Sequence, residues 1–312
     1  MRALLLFLPA MIAAAPATQS AAPPADVAPG QTHDVNFATD DFGRMTVAVR
    51  VGDRGPYRFL IDTGAERTVI SRQLAEVLGL AAGSGMKVQS VLGLAPVQTV
   101  RIPVLQVSNR SVAVANAPAF ESADIGADGV LGVDSLARQR VTLDFKRGVM
   151  GVSPSADSRE DVDEETIVVV ARRRHGRLLF ANAAVDNRGV VVVVDTGSEI
   201  SVGNEALRAK LLRGRQVLPK AELITIAGES AMADIMTAQL VEIDGLKIRK
   251  VEIAFLRAPV FNQLGLENRP ALLLGINVMR AFDRVSIDFA TGKVRFVLPR
   301  TSMARVTRLA AR

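Results

Sequence analysis

Phe59-Leu60-Ile61-Asp62-Thr63-Gly64-Ala65 is an apolar run that ends in Asp-Thr-Gly, and it returns further along the chain as Val192-Val193-Val194-Asp195-Thr196-Gly197-Ser198. Three more landmarks recur in the same order. Val130-Leu131-Gly132-Val133-Asp134 is echoed by Leu273-Leu274-Gly275-Ile276-Asn277, and Val141-Thr142-Leu143-Asp144-Phe145 by Val285-Ser286-Ile287-Asp288-Phe289. Each Asp-Phe pair is followed at equal distance by a glycine, Gly148 or Gly292. Matched landmarks in one order at similar spacing mark a tandem duplication.

Both copies read as β-rich. Met45 to Val51 alternates apolar and polar residues and leads into the turn Gly52-Asp53-Arg54-Gly55-Pro56; in the second copy Leu178–Val185 and Val190–Val194 flank Asp186-Asn187-Arg188-Gly189. Each Asp-Thr-Gly therefore closes an apolar strand where the chain has to turn. A short helix is expected after each: Ser71 caps Arg72 to Leu78 with Gly79 as the stop, and Asn204 caps Glu205 to Leu212. The remainder reads as short strands, so the fold class is mainly β with a few short helices, built as two lobes with a cleft between them.

The flanks divide the chain of 312 residues further. Residues 1–17 read as a secretory signal: Arg2 supplies the charge, Ala3 to Ile12 the apolar core, and Ala13-Ala14-Ala15 or Ala15-Pro16-Ala17 the cleavage site. The core is short for a membrane span, though an uncleaved N-terminal anchor is the alternative. A periplasmic location is expected. Residues 18–33 form a lead-in rich in Ala, Pro and Gln, which could serve as a removable pro-segment. Residues 34–152 form lobe 1, the acidic stretch 153–166 a linker, 167–299 lobe 2, and 300–312 a basic tail.

Composition narrows the chemistry. The chain has no Cys and only two His, His33 and His175, both in polar or basic settings that suit solvated side chains. Thiolate and histidine catalysis are thereby excluded, and neither a metal nor a cofactor is expected. The net charge of +6 raises the question of nucleic acid. The charge is scattered apart from Arg172–Arg174 and the tail, and few aromatics are present to stack bases, so no nucleic-acid partner is expected.

One Asp-Thr-Gly arises by chance in a chain of this length roughly one time in twenty. Two of them, each after an apolar strand and each followed by a Gly-bearing apolar segment, point to paired carboxyls. Hydrolysis of an amide without a metal or covalent intermediate needs a base to activate water and an acid for the carbonyl oxygen. Two carboxyls sharing one proton supply both, because like charges about 3 Å apart cannot both ionise. Asp62 and Asp195 are the catalytic candidates. Thr63, Gly64, Ala65, Thr196, Gly197 and Ser198 support them: the threonines bond across the lobe junction, and the glycines leave room for backbone N–H groups to approach the opposite carboxylate. The Ser198 hydroxyl can donate to Asp195 where Ala65 offers Asp62 no such bond, so Asp195 is expected to carry the charge more often, although the pair titrates as a unit. Activity in the neutral to mildly acidic range follows, rather than only below about pH 3.

On these residues both halves resemble the retropepsin-like aspartic proteases, here fused in one chain over about residues 36–298. The resemblance implies an endopeptidase with a polypeptide substrate, a β-barrel lobe per copy, and the apolar-apolar-Gly segments packed behind the active turns. It implies that Asp134 pairs with Thr68 and Asn277 with Ser201. It also implies substrate contacts at Glu66, Arg67, Glu199 and Ile200, which differ between the lobes and predict a cleft with two unlike halves. Unlike the homodimeric retroviral enzymes, this chain is expected to act as a monomer, an intramolecular pseudo-dimer. Tyr57 precedes the first active turn, so it cannot fill the flap position of pepsin-type enzymes. The flap candidates are Ser90-Val91-Leu92-Gly93-Leu94 and Ile226-Ala227-Gly228-Glu229-Ser230.

Other acidic residues fit structural roles. Asp144 and Asp288 suit surface hairpin turns, and Asp124, Asp128 and Asp134 suit helix capping. The rival functional readings are a catalytically silent two-lobed peptide-binding protein and a metal-dependent hydrolase.

Overall fold

The computed structural model describes residues 2–5, 10–12, 34–36, 46–90, 93–107, 110–155, 166–212, 218–225, 228–299 and 306–308. Each repeat folds into a closed six-stranded barrel. In lobe 1 the order around the barrel is Arg110–Phe120, Val69–Ser71, Gly129–Leu131, Arg54–Ile61, Thr46–Val51, Thr99–Val107. Lobe 2 runs Leu246–Phe255, Ser201–Gly203, Ala271–Leu274, Arg188–Val194, Arg177–Val185, Ser230–Ile243, and the last strand pairs back to the first. The two orders correspond strand for strand, as a duplicated sequence requires.

Local sequence explains the elements. Thr46–Val51 alternates buried and exposed residues, which sends Val47, Val49 and Val51 into the barrel. The valine run Val190–Val194 ends fully inside because the strand passes from the rim to the centre of the molecule. Asp186 and Asn187 join its hairpin with φ of +44° and +63°, the left-handed pair that a two-residue turn between twisted strands requires. Both expected helices form. Ser71 Oγ accepts from Leu74 N and Gly79 adopts a left-handed stop; Asn204 Oδ1 accepts from Leu207 N.

A third sheet joins the lobes. Its order is Asp34–Asn36, Val149–Pro154, Gln139–Asp144, Arg284–Asp288, Lys293–Val297, Thr166–Val170. The central pair runs antiparallel, with Arg140 opposite Asp288 and Asp144 opposite Arg284, so the sheet has a pseudo-twofold axis at its middle. Val141, Leu143, Val285 and Ile287 turn inward and are completely buried, which merges both lobes into one continuous apolar core.

This sheet revises the expectation for Asp144 and Asp288. Both do serve hairpin turns: Asp144 accepts from Arg147 N, and Asp288 from Ala290 N and Thr291 N. Neither is a surface residue, because pairing between the two hairpins buries them. Asp288 also receives the Ser155 hydroxyl and Arg140 Nη2 at 3.0 Å. Burial pushes its carboxyl up, but the Thr291 N–H, Ser155 and Arg140 outweigh that and hold it below the ordinary value. His175 lies exposed at a turn, and His33 falls outside the described residues. Among the described residues no helix is long and apolar enough to cross a membrane.

Candidate active site

Both active turns are held by the same cradle. Gly129–Leu131 lies parallel to Arg54–Ile61 and antiparallel to Val69–Ser71, and Ala271–Leu274 has the same two neighbours in lobe 2. The inserted strand receives Asp62 N on Leu131 O at 3.0 Å and Asp195 N on Leu274 O at 3.1 Å. Val133 N then returns to Ala65 O, and Ile276 N to Ser198 O, closing each turn from behind. Thr68 Oγ1 donates to Asp134 Oδ1 and Ser201 Oγ to Asn277 Oδ1, both at 2.8 Å, while the same hydroxyls accept from Gly132 N and Gly275 N. Asp134 is thus tied to Thr68 rather than serving as a helix cap. Asp128 bonds Arg58 N instead of capping, and Asp124 lies within the helix Ser122–Ile125, whose N-cap is Glu121.

The turns then lock onto each other. Thr63 N donates to Thr196 Oγ1 at 3.1 Å and Thr196 N to Thr63 Oγ1 at 3.0 Å. Each hydroxyl passes its own proton on across the junction, Thr63 Oγ1 to Val194 O and Thr196 Oγ1 to Ile61 O. Four reciprocal bonds in a buried site leave little freedom for the turns to slide.

This brings the carboxyls together at the base of the interface, Asp62 at 0% exposure and Asp195 at 1%. A methyl placed on Gly64 would lie 2.8 Å from Asp195 Oδ1 and 3.1 Å from Asp62 Oδ1, and one on Gly197 would lie 2.3 Å from Asp62 Cγ. Only glycine admits the opposite carboxyl at these positions. The glycine N–H groups, however, bond the carboxyl of their own turn, contrary to the cross-lobe approach expected. Gly64 N and Ala65 N donate to Asp62 Oδ1, and Gly197 N to Asp195 Oδ1.

The two carboxyls are electrostatically unequal. Burial first, and then the charge of Asp195, push Asp62 well above its ordinary value, against the Gly64 N–H, Arg177 and the Ala65 N–H. Burial also raises Asp195, but the Ser198 hydroxyl at 2.8 Å on Oδ2 opposes it, followed by the Gly197 N–H, Arg177 and a hydrogen bond from the Asp62 carboxyl. The proton therefore favours Asp62 and the negative charge Asp195. Carboxyls made unequal in this way suit one to act as acid and the other as base.

A family model described as aspartyl protease matches residues 47–135 and 181–278, more than half of the chain and once per lobe. The chain belongs to this aspartyl protease family. No curated protein matches it. Membership implies protease-type hydrolytic activity on a polypeptide, and the two matched regions coincide with the two barrels.

Within this aspartyl protease the other expected site residues divide. Glu66 is half-buried and ion-paired to Arg177 at 3.0 Å. The backbone of Arg67 wraps Gly132, and its charge acts on Asp134. Glu199 is half-buried in the second turn, with its carbonyl bonded by Asn277 N. Ile200 is buried with Val193 and Val202 in the core of lobe 2. The flap candidates fall on two hairpins, Met86–Ser90 with Gly93–Val97 and Lys220–Thr225 with the start of Ser230–Ile243, although Val91, Leu92, Ile226 and Ala227 lie outside the described residues. The second hairpin crosses to lobe 1, where a Cβ on Gly228 would lie 2.8 Å from the Asp124 carboxylate.

Arg177 went unrecognised in the motifs. Among the described residues it is the largest fully buried side chain, and it extends from the first barrel strand of lobe 2 to the active turn of lobe 1. A signal for it does exist: Gly43-Arg44 and Gly176-Arg177 each stand eighteen residues before the Asp of Asp-Thr-Gly, and a Glu stands four residues after that Asp in both copies. Arg44 lies outside the described residues.

Proposed function

We propose that the chain is an aspartic endopeptidase that hydrolyses peptide bonds with Asp62 and Asp195 as its catalytic pair, working as a monomer. The observation that carries this is the pair of buried carboxyls, one from each lobe, fixed face to face by reciprocal threonine bonds and made unequal by Ser198. Asp195, as the carboxylate, takes a proton from water while the water oxygen attacks the scissile carbonyl carbon. Asp62, as the acid, gives its proton to the carbonyl oxygen, and a neutral tetrahedral diol results. Asp195 then returns its proton to the amide nitrogen as the C–N bond breaks. Asp62 regains one from the diol as the carbonyl reforms. Proton count and charge balance over the cycle.

The paired hairpins support an extended peptide as the substrate form. Their strands have edges that accept further pairing: Ala10–Ile12 joins Met86–Ser90, and Arg2–Leu5 joins Lys220–Thr225. The leader-like residues 1–17 support action in the periplasm on secreted or envelope proteins. Cleavage of an unfolded protein that resists chelators, yields to a statine-type inhibitor and disappears in both Asp62→Asn and Asp195→Asn tests the activity. Cleavage that survives either substitution overturns the assignment. Fractionation of expressing cells tests the compartment.

A further inference from the structure

We propose that Arg177 is the positioning residue of the aspartate pair: from lobe 2 it holds the Gly64 carbonyl of lobe 1 and sets a buried positive charge behind both active turns. The inference rests on the endopeptidase reading above. Its side chain is 1% exposed. Nε donates to Gly64 O at 2.8 Å, and Nη1 donates to Glu66 Oε1 at 3.0 Å and to Gln263 Oε1 at 3.3 Å. Gly64 is the residue whose N–H bonds Asp62 Oδ1, so the peptides on either side of its Cα are fixed, one by the catalytic carboxyl and the other by the guanidinium. A planar fork suits this arrangement where a lysine, with one point of charge, would reach fewer of the acceptors.

The charge matters as much as the geometry. A buried guanidinium is costly unless paired, and its partner Glu66 keeps 27% of its side chain in solvent, where water screens it. The Arg177 charge is thus left partly uncompensated, and it acts on both carboxyls in the direction that favours ionisation. A pair holding one proton carries one net negative charge, which this cation offsets. The charges recorded as acting on the pair are the two aspartates themselves and Arg177, whose own counter-charge is Glu66; Arg67 and Glu199 are the other charged residues of the two turns.

The test is the pH dependence of kcat/KM on an unfolded protein substrate. Arg177→Gln removes the cation, so both limbs of the bell move to higher pH by about one unit, and the plateau falls about tenfold or more as the turn loosens. Arg177→Lys keeps the charge without the fork: the limbs stay in place while the plateau drops. Glu66→Gln frees Arg177 of its counter-charge and moves both limbs to lower pH. A brace with a purely structural role would lower the rate or the Tm and leave the bell where it is. Limbs unmoved in Arg177→Gln, or shifted upward in Glu66→Gln, overturn the proposal, and the Glu66 variant carries the test if Arg177→Gln does not fold. Infrared titration of the protonated carboxyl C=O stretch reads the same shifts without turnover. Wild-type protein lacking any Asp62-dependent cleavage would defeat the endopeptidase reading, whereas wild-type cleavage with an unmoved bell defeats the Arg177 inference alone.

Discussion

Asp62 and Asp195 occupy equivalent turns and differ chiefly in one oxygen, the Ser198 hydroxyl, which has no counterpart at Ala65. That atom decides where the proton resides. Ser198→Ala would leave Asp195 Oδ2 without its donor, raise the Asp195 carboxyl further, and move the acidic limb of the rate profile to higher pH. The lost buried hydrogen bond should destabilise the fold by about 1–3 kcal/mol in urea titrations. Asp62→Asn is expected to separate activity from stability. Because Asp62 lies above its ordinary value, the folded chain keeps a proton that the unfolded chain releases as pH rises past about 4. Stability contributed there is present in acid and declines until pH passes the folded value. Asparagine keeps an acceptor for Gly64 N and Ala65 N and has no proton to release on unfolding. The variant should therefore be inactive, melt above wild type at neutral pH, and converge with it below about pH 4. A larger residue at 197 is a further test: Gly197→Ala would drive its methyl into the Asp62 carboxyl and abolish cleavage, since backbone and carboxyl there are too well held to yield.

Among the elements, those with local signals were readable. The Ser71 and Asn204 caps, the Asp186-Asn187 turn and the apolar strands before each aspartate follow from residue types within a few positions of each other, and they form as expected. The Thr68–Asp134 and Ser201–Asn277 pairs became visible only through the family resemblance, because the partners stand 66 and 76 positions apart. The hairpins at Asp144 and Asp288 were legible as hairpins, but nothing in their own composition announces that they pair with each other. Antiparallel pairing across the lobes leaves no periodic mark in either strand, so two buried aspartates looked like surface turn residues. Asp288 gains from its bonds to Thr291 N–H, Ser155 and Arg140, and that gain is present above the unfolded carboxyl value and lost as pH falls through the lower folded one. Asp288→Asn should cost about 3 kcal/mol at neutral pH by stranding Arg140, with the deficit shrinking in acid. Guanidinium unfolding at several pH values measures it.

At the scale of the molecule, duplication was written plainly in the repeated landmarks, while the joint between the copies was not. The joint is a shared sheet and a shared core, so neither lobe ends where its repeat ends: Ser155, at the start of the stretch read as a linker, bonds Asp288 of the other lobe. Cutting the chain between residues 155 and 166 should therefore leave two fragments that remain associated through the central strand pair and retain cleavage. Each fragment expressed alone should be inactive, because each carries one member of the pair, Asp62 or Asp195. Size-exclusion chromatography of the nicked protein, followed by remixing of separately prepared fragments, checks both points.

The serine that stands opposite an alanine has one more consequence. A polypeptide has a direction, amino to carboxyl, and two identical jaws related by symmetry cannot tell one orientation from its reverse. Once the jaws are encoded separately on one thread, each is free to specialise for the end it grips, and the bond to be cut can always arrive the same way round.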